Sequence, residues 1–495
     1  MPSFFVLIQN HICTRLVIQC DALSRYERLV MDTNWQPDLS QFPGPKYLAL
    51  NRALRDAIRL GDLGEGTQLP TVRDLAWRLS VTPGTVARAY QMAIQEGMLQ
   101  ANVGRGTFVA ERNPRLGPTQ PLYIERRVET KGLVDLRSPI LPEVGQAAVF
   151  QQAMQQVSAS RADDWTDYPS QRQEAALRRH VVDWVGDRAL GPVTSDDIAL
   201  THGGQNAILI ILMCCLRGDR PVVLVEDLAY PGFRYAARLV RAEVVAVELD
   251  AHGMVPDALE AACRRHGPQV LCLTTEAQNP TAVRMPPDRR AAIAEIARRH
   301  DCQIIEDDCY STDITDWPAI RALAPERTWY VGSISKTISA ALRFGYIVCP
   351  TGLGEAGRLT AQHAYFALSR TVSDLCLDLF QTRAAWDLRT KVQAELAVRL
   401  QATVNALGAF DVAWLPGLRF VYLRLPSGWR ASSLRPRAEA AGILLRTADE
   451  YALSHGRAPN AVRLALAGNI PLEDHRAALD RLVALLQSPS YEPSV

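Results

Sequence analysis

Between Val222 and Cys349 short, almost unbroken apolar runs recur, with amphipathic stretches between them. Val222–Glu226, Val244–Glu248, Val270–Thr274, Gln303–Glu306, Thr328–Gly332 and Tyr346–Cys349 read as strands, and Asp288–His300 as one of the intervening helices. Strands apolar on both faces must be covered on both faces, so the alternation implies an α/β domain built on a mostly parallel sheet. In such a sheet, ligand chemistry belongs at the strand ends. The chain has 495 residues, more than one ordinary core can absorb, so a second domain is expected.

Composition narrows the class. Hydrophobic residues make up 48% and charged residues 22%, as in a globular protein. The ten cysteines show no ligand spacing and read as reduced thiols of a cytoplasmic protein, not as a disulfide frame or a metal site. The longest apolar run, Ala207–Leu216, is too short to span a membrane. Met1–Ile18 is apolar but lacks the basic start and cleavage site of a signal peptide. Residues 1–44 are read as a disordered extension, of which 1–30 are dispensable. Net charge is only +1, yet basic residues outnumber acidic ones between 45 and 112, the sign expected of a nucleic-acid partner.

Candidate site residues fall where the strand ends are expected. Lys336 stands in Ser333-Ile334-Ser335-Lys336-Thr337, with Arg343 seven residues on. An amine among small hydroxyls with a nearby guanidinium suits pyridoxal 5'-phosphate: the lysine forms a Schiff base with the aldehyde while hydroxyls and arginine hold the phosphate. Gly203-Gly204-Gln205 opens a helix whose amides favour a phosphate. Tyr230 could lay its ring on a planar cofactor, and Asn279 could bond a phenolic oxygen. Asp307 could keep a pyridinium nitrogen protonated. Each has a plain alternative: buried tyrosines usually pack, Asn-Pro usually turns, and acidic pairs often cap.

Residues 45–110 carry three helical signals and a hairpin. Leu50, Leu54 and Ile58 share a face of the first helix, which Gly61 ends. Thr71 can cap the second, and Thr82 with Pro83 can start the third, running from about Gly84 to Gln95. Met98–Gln100 and Thr107–Val109 read as short strands around Gly104-Arg105-Gly106. Tyr90 reads as core. Residues 111–132, with Pro114, Gly117, Pro118 and Pro121 among arginines, read as an extended linker. Residues 133–485 form the large domain and 486–495 a tail.

Helix, short turn, helix and glycine-arginine hairpin tip closely resemble the GntR-type winged helix-turn-helix, whose signatures match Pro70-Thr71-Val72-Arg73 and Gly104-Arg105-Gly106-Thr107-Phe108-Val109. That resemblance implies contacts to double-stranded DNA from Arg73, Thr82, Thr85 and Arg88, with Arg105 approaching the minor groove. The stretch 133–485 resembles a fold-type-I aminotransferase, with a smaller C-terminal α+β subdomain. By that likeness Lys336 is the Schiff-base lysine, Asp307 partners the ring nitrogen, and Asn279 and Tyr310 partner the ring hydroxyl. Tyr230 stacks, while Gly204, Gln205, Ser333, Ser335 and Arg343 hold phosphate. Arg463 grips a substrate carboxylate.

The two halves together resemble the MocR subfamily of bacterial transcription regulators. The resemblance implies a homodimer with a domain-swapped, head-to-tail arrangement, sensing an amine, an amino acid or pyridoxal phosphate itself. The alternative is a working aminotransferase that carries a DNA-binding domain. Two residues depart from the subfamily pattern: Cys309 stands where a tyrosine usual there would be, with Tyr310 following, and Ala282 stands where glycine is common.

Overall fold

The computed structural model describes residues 35–42, 44–95, 98–102, 106–110, 132–160, 168–169, 171–310, 316–453 and 458–488. The chain divides between Thr119 and Gln120 into two compact units.

In the first unit, helix α1 (Lys46–Leu60) turns Leu50, Leu54 and Ala57 inward and ends at Gly61, whose φ of +88° suits glycine. Thr71 caps α2 (Val72–Arg78) by accepting from the Asp74 amide at 3.2 Å. Thr82 does the same at the start of α3 (Pro83–Gln95), accepting from the Thr85 amide at 3.3 Å. Strands β1 (Leu99–Asn102) and β2 (Gly106–Val109) pair antiparallel, and Gln68 bridges to Phe108 on the far side. Leu75, Val86, Ala89, Tyr90, Leu99 and Val109 close the core, and the Tyr90 hydroxyl donates to the Pro70 carbonyl at 2.9 Å. The unit begins before residue 45: Trp35 and Leu39 pack against this core, and a turn at Leu39–Gln41 is capped by Asp38. The expectation of a disordered stretch up to residue 44 therefore fails from Trp35 on, because apolar side chains anchor it. Residues 1–34 and the linker stretch 111–131 lie outside the described residues.

The second unit is centred on a seven-stranded sheet. Its strands are β3 (Ile198–Thr201), β4 (Val222–Glu226), β5 (Glu243–Val247), β6 (Val270–Leu273), β7 (Gln303–Asp307), β8 (Thr328–Ser333) and β9 (Gly345–Val348), in the order β3-β9-β8-β7-β6-β4-β5. Only β9 runs against the rest. Successive residues point to opposite faces: Val223, Val225 and Ile305 pack with α4 (Gly204–Cys215) and α5 (Pro231–Leu239). Leu224, Leu271 and Ile304 pack with α6 (Pro256–His266) and α7 (Pro287–Arg299) on the other face. Strand β3 was not anticipated. Its four residues sit at the sheet's edge yet are buried, because helices cover it.

A four-stranded antiparallel sheet follows, β10 (Val412–Ala413), β11 (Phe420–Arg424), β12 (Arg446–Thr447) and β13 (Ala461–Ala465), in the order β10-β11-β13-β12. It packs on α8 (Ala384–Leu407) and α9 (Leu472–Gln487). Helix α9 continues past the expected end at 485, since Leu486 is still buried in this core. Val134–Asp135, at the start of the unit, pairs with Ile443–Leu444. Among the described residues no helix is long and apolar enough to cross a membrane.

Ile305 is fully buried on the strand that ends in Asp307. Ile305→Ala should cost about 2–5 kcal/mol through lost packing and the cavity left behind, read as a lower midpoint in denaturant unfolding of the large unit.

Candidate functional site

Parallel strands bring their carboxyl ends to one edge, and the positions singled out between Gly203 and Arg343 lie at or follow those ends or, for Arg343, precede the reversed strand. Beyond β3, Gly203 turns the chain into α4 with φ of +83°. A Cβ on Gly203 would stand 2.6 Å from Arg343 Nη2, so glycine is what lets the guanidinium close on this turn. Arg343 precedes β9, which runs the other way and so starts at the same edge. It donates to the His202 carbonyl at 3.1 Å and to Ser335 Oγ at 3.3 Å. Ser333 Oγ lies 3.0 Å from Ser335 Oγ and accepts from the Ser335 amide at 3.1 Å. At the amino-terminal end of α4, these hydroxyls make a cradle around one fixed cation, suited to a phosphate-sized oxyanion.

Gln205 and Tyr230 meet at Gly232. Gln205 Nε2 donates to the Gly232 carbonyl at 3.0 Å, and a Cβ on Gly232 would overlap both Gln205 Oε1 and the Tyr230 ring. Gln205 Oε1 is buried without a partner. Asp307 ends β7 and is buried; it accepts from the Cys309 amide at 2.9 Å, and burial raises its pKa above the ordinary value. Among the described residues no cation lies within ion-pair distance of it. Behind it, Asp308 accepts from the Tyr330 hydroxyl at 2.5 Å and lies 3.9 Å from Arg188, while burial pushes its carboxyl up to about 6.

Lys336 follows β8 and is partly buried. Burial pushes its amine down to about 8, helped by the charges of Arg463, Arg419 and Arg343 and opposed by Cys309. No carboxylate among the described residues pairs with it. An unpaired buried acid and an unpaired amine beside an anion cradle fit a group that carries a protonated ring nitrogen, a carbonyl carbon and a phosphate. The site residues present therefore fit pyridoxal phosphate.

Arg463 enters from β13 and is buried. Its Nη1 donates to Asn279 Oδ1 at 2.9 Å and to the Tyr310 hydroxyl at 3.3 Å, and its Nη2 donates to the Arg137 carbonyl at 2.8 Å. Its guanidinium carbon lies 5.0 Å from the ring centroid of Phe420 and 5.3 Å from that of Tyr451. Burial works against its charge, but the phenols of Tyr451 and Tyr310 outweigh it and the pKa is raised. The bond to Arg463 takes Asn279's oxygen and leaves its amide nitrogen to donate elsewhere; Tyr310 likewise keeps its own proton to give. Arg137, Phe420, Tyr451 and Arg419 were missed by sequence reasoning. None belongs to a local motif, and each reaches the site only through strand pairing or a distant carbonyl. Arg419, fully buried, donates to the Tyr310 carbonyl at 2.5 Å.

In the first unit Arg73 is exposed at the start of α2, and Thr82 is exposed at the start of α3. Thr85 is half-buried and 2.9 Å from Thr82 through their hydroxyls. Arg88 is exposed but folded back, its guanidinium 4.0 Å above the Tyr47 ring. Arg105 and Gly104 lie outside the described residues.

Residues 133–482 match the family described as aminotransferase class I and II, and the chain belongs to that family. Residues 46–109 match bacterial regulatory proteins of the gntR family, so the chain joins a gntR-type helix-turn-helix domain to an aminotransferase domain, the MocR arrangement. The HTH-type transcriptional regulator YdeF of Bacillus subtilis is 25% identical over 459 residues, which cover 92% of this chain and 97% of the relative. The HTH-type pyridoxine biosynthesis transcriptional regulator PdxR of Corynebacterium glutamicum is 29% identical over 313 residues, 61% of this chain and 65% of the relative. Kynurenine aminotransferase of Pyrococcus horikoshii shares the fold with a TM-score of 0.64 at 20% identity, covering 72% of this chain and 91% of that one.

The depressed amine pKa has a kinetic consequence. Acylation of Lys336 by a small neutral reagent should rise with pH around a midpoint near 8, because only the neutral amine attacks. Arg463→Met removes a neighbouring positive charge and should move that midpoint upward, as peptide mass spectrometry across a pH series would measure.

Proposed function

We propose that this chain is a bacterial transcription regulator that binds DNA through its first unit and senses a small amine or amino acid through pyridoxal phosphate held by its second. One observation carries the reading: an amine with a pKa near 8 and no carboxylate partner among the described residues, beside a phosphate-type cradle, in a chain that also bears a gntR-family domain. The cofactor, when bound, supplies an aldehyde that condenses reversibly with a primary amine.

The chain's own residues do the rest. Ser333, Ser335, Arg343, Gly204 and Gln205 would hold the phosphate, and Asp307 would keep the ring nitrogen protonated. Asn279 and Tyr310, oriented by Arg463, would donate to the ring hydroxyl. Tyr230 would cover one face of the ring. Arg463 would select ligands that carry a carboxylate. Lys336 would hold the cofactor by its aldehyde, and only a ligand that binds two shapes of the protein unequally can shift their balance. The relative named as a pyridoxine biosynthesis regulator supports the variant in which pyridoxal phosphate is itself the signal.

The protein works in the cytoplasm as a homodimer, with the DNA-binding unit of one copy swapped toward the large unit of the other. Arg343 and its neighbours Ala340 and Ala341 are exposed in the single chain, so the phosphate end of the pocket lacks a wall that a second copy can provide. We take 45–110 as the DNA-binding domain, 111–132 as linker and 133–485 as the sensing domain. Arg73, Thr82, Thr85, Arg88 and Arg105 are its proposed DNA contacts. A working aminotransferase is the second reading, favoured by the joint presence of Lys336, Asp307, Asn279, Tyr310 and Arg463 in one pocket.

Borohydride reduction followed by digestion and mass spectrometry should find a pyridoxyl adduct on Lys336, and none in Lys336→Ala. Genome-wide DNA occupancy should respond to amines or added pyridoxal phosphate in the wild type and lose that response in Lys336→Ala; occupancy indifferent to all three overturns the sensing reading. Turnover of amino donors and keto acids at ordinary enzyme rates, about 1–1000 per second, would instead favour the aminotransferase. Arg73→Ala should weaken DNA binding about equally across sequences and flatten its salt dependence by roughly one unit of slope, measured by fluorescence anisotropy.

A further inference from the structure

Among the described residues two buried hydrogen-bonding groups, the Arg463 Nε and the hydroxyl of the neighbouring Tyr451, have no partner. The Tyr451 side chain is 1% exposed and its hydroxyl meets neither donor nor acceptor; Arg463 is 3% exposed and its Nε is in the same condition. Buried polar groups are nearly always bonded, so each of these two marks a hydrogen bond that the fold leaves unmade. The side chains that carry them are neighbours. The Tyr451 ring centroid is 5.3 Å from Arg463 Cζ. The phenols of Tyr451 and Tyr310 both favour the arginine's charge, and Nη1 reaches that of Tyr310 at 3.3 Å.

The rest of the guanidinium is engaged. Nη1 is held by Asn279 and Tyr310, and Nη2 by the Arg137 carbonyl. Tyr451 is also held firmly. Arg234 donates to the carbonyls of Glu450 and Ala452, at 2.9 and 2.5 Å, and the Ala229 amide donates to the Tyr451 carbonyl at 3.1 Å. The phenol therefore stands on a segment fastened to the end of the large sheet, not on a free loop.

We infer that Tyr451 is a specificity-determining residue of the sensing pocket: its hydroxyl and Arg463 Nε together receive the carboxylate of the amine ligand. The inference rests on the reading of Arg463 given above and adds a second donor to it. A planar carboxylate has two oxygens, one for each donor. An amine without a carboxylate leaves both donors buried and unpaired, the arrangement that discriminates most strongly between otherwise similar ligands.

The test uses the full chain loaded with pyridoxal phosphate, with β-alanine and propylamine as probes that differ by one carboxylate. Titration is followed by the cofactor's absorbance, and stability by the melting temperature. In the wild type β-alanine should saturate at lower concentration than propylamine. Tyr451→Phe should raise the β-alanine half-saturation about ten-fold, the usual loss for one hydrogen bond to a charged group, and leave propylamine unchanged. Because the hydroxyl has no partner in the fold, the same change should leave the melting temperature equal or higher. A lowered melting temperature would show the hydroxyl bonded within the chain and overturn the inference. So would unchanged β-alanine binding in Tyr451→Phe when Arg463→Met weakens it. If Arg463→Met also leaves the preference for β-alanine intact, or the wild type has none, the reading of Arg463 falls with it.

Discussion

The common direction of the strands in the large sheet governs everything else in this protein. Six strands running one way bring Thr201, Glu226, Val247, Leu273, Asp307 and Ser333 to one edge, and the reversed strand β9 starts at that edge with Arg343 just before it. Residues separated by more than a hundred positions thereby become neighbours: Arg343 bonds the His202 carbonyl across 141 positions. No single motif makes the pocket. The sheet does, by collecting one short loop from each strand.

The charges gathered there are unbalanced in a way that suits a ligand. Lys336, Arg343, Arg419 and Arg463 all act on the same region, and Asp307 is a buried acid with no cation of its own among the described residues. Buried charges are costly unless paired. An anionic, planar group with a basic ring nitrogen would relieve both imbalances at once. Burial, helped by the same crowding of positive charge, holds the lysine near 8, within reach of its neutral, nucleophilic form at physiological pH.

Arg463 also joins the two sheets of the second unit. It is carried by β13 of the smaller sheet, yet its guanidinium is bonded to Asn279 and Tyr310 on the loops beyond β6 and β7 of the larger one. A ligand that competes for this arginine acts on both sheets, which is the physical route by which occupancy could alter the shape of the unit.

Much of this was legible from local chemistry. The apolar runs located β4 to β9 to within a residue or so, since a strand buried on both faces has no other composition available. Gly61, Thr71 and Thr82 marked helix ends because capping is decided by the nearest three or four residues. The lysine with its flanking serines and following arginine was visible for the same reason. Strand β3 escaped notice, being four residues long and isolated, and so did the anchoring of Trp35 and Leu39. The cage of Arg463 could not have been read from the chain. Its bond to the Arg137 carbonyl spans 326 positions, and Phe420 and Tyr451 reach it only once the small sheet is in register. The sequence by itself thus determined most strands of the large sheet, many of the side chains that can do chemistry and the two kinds of unit the chain builds, because those follow from periodicity and near neighbours. Only the tertiary structure decided which donors remain unpaired and which cation faces which ring, because those depend on how distant segments close on one another.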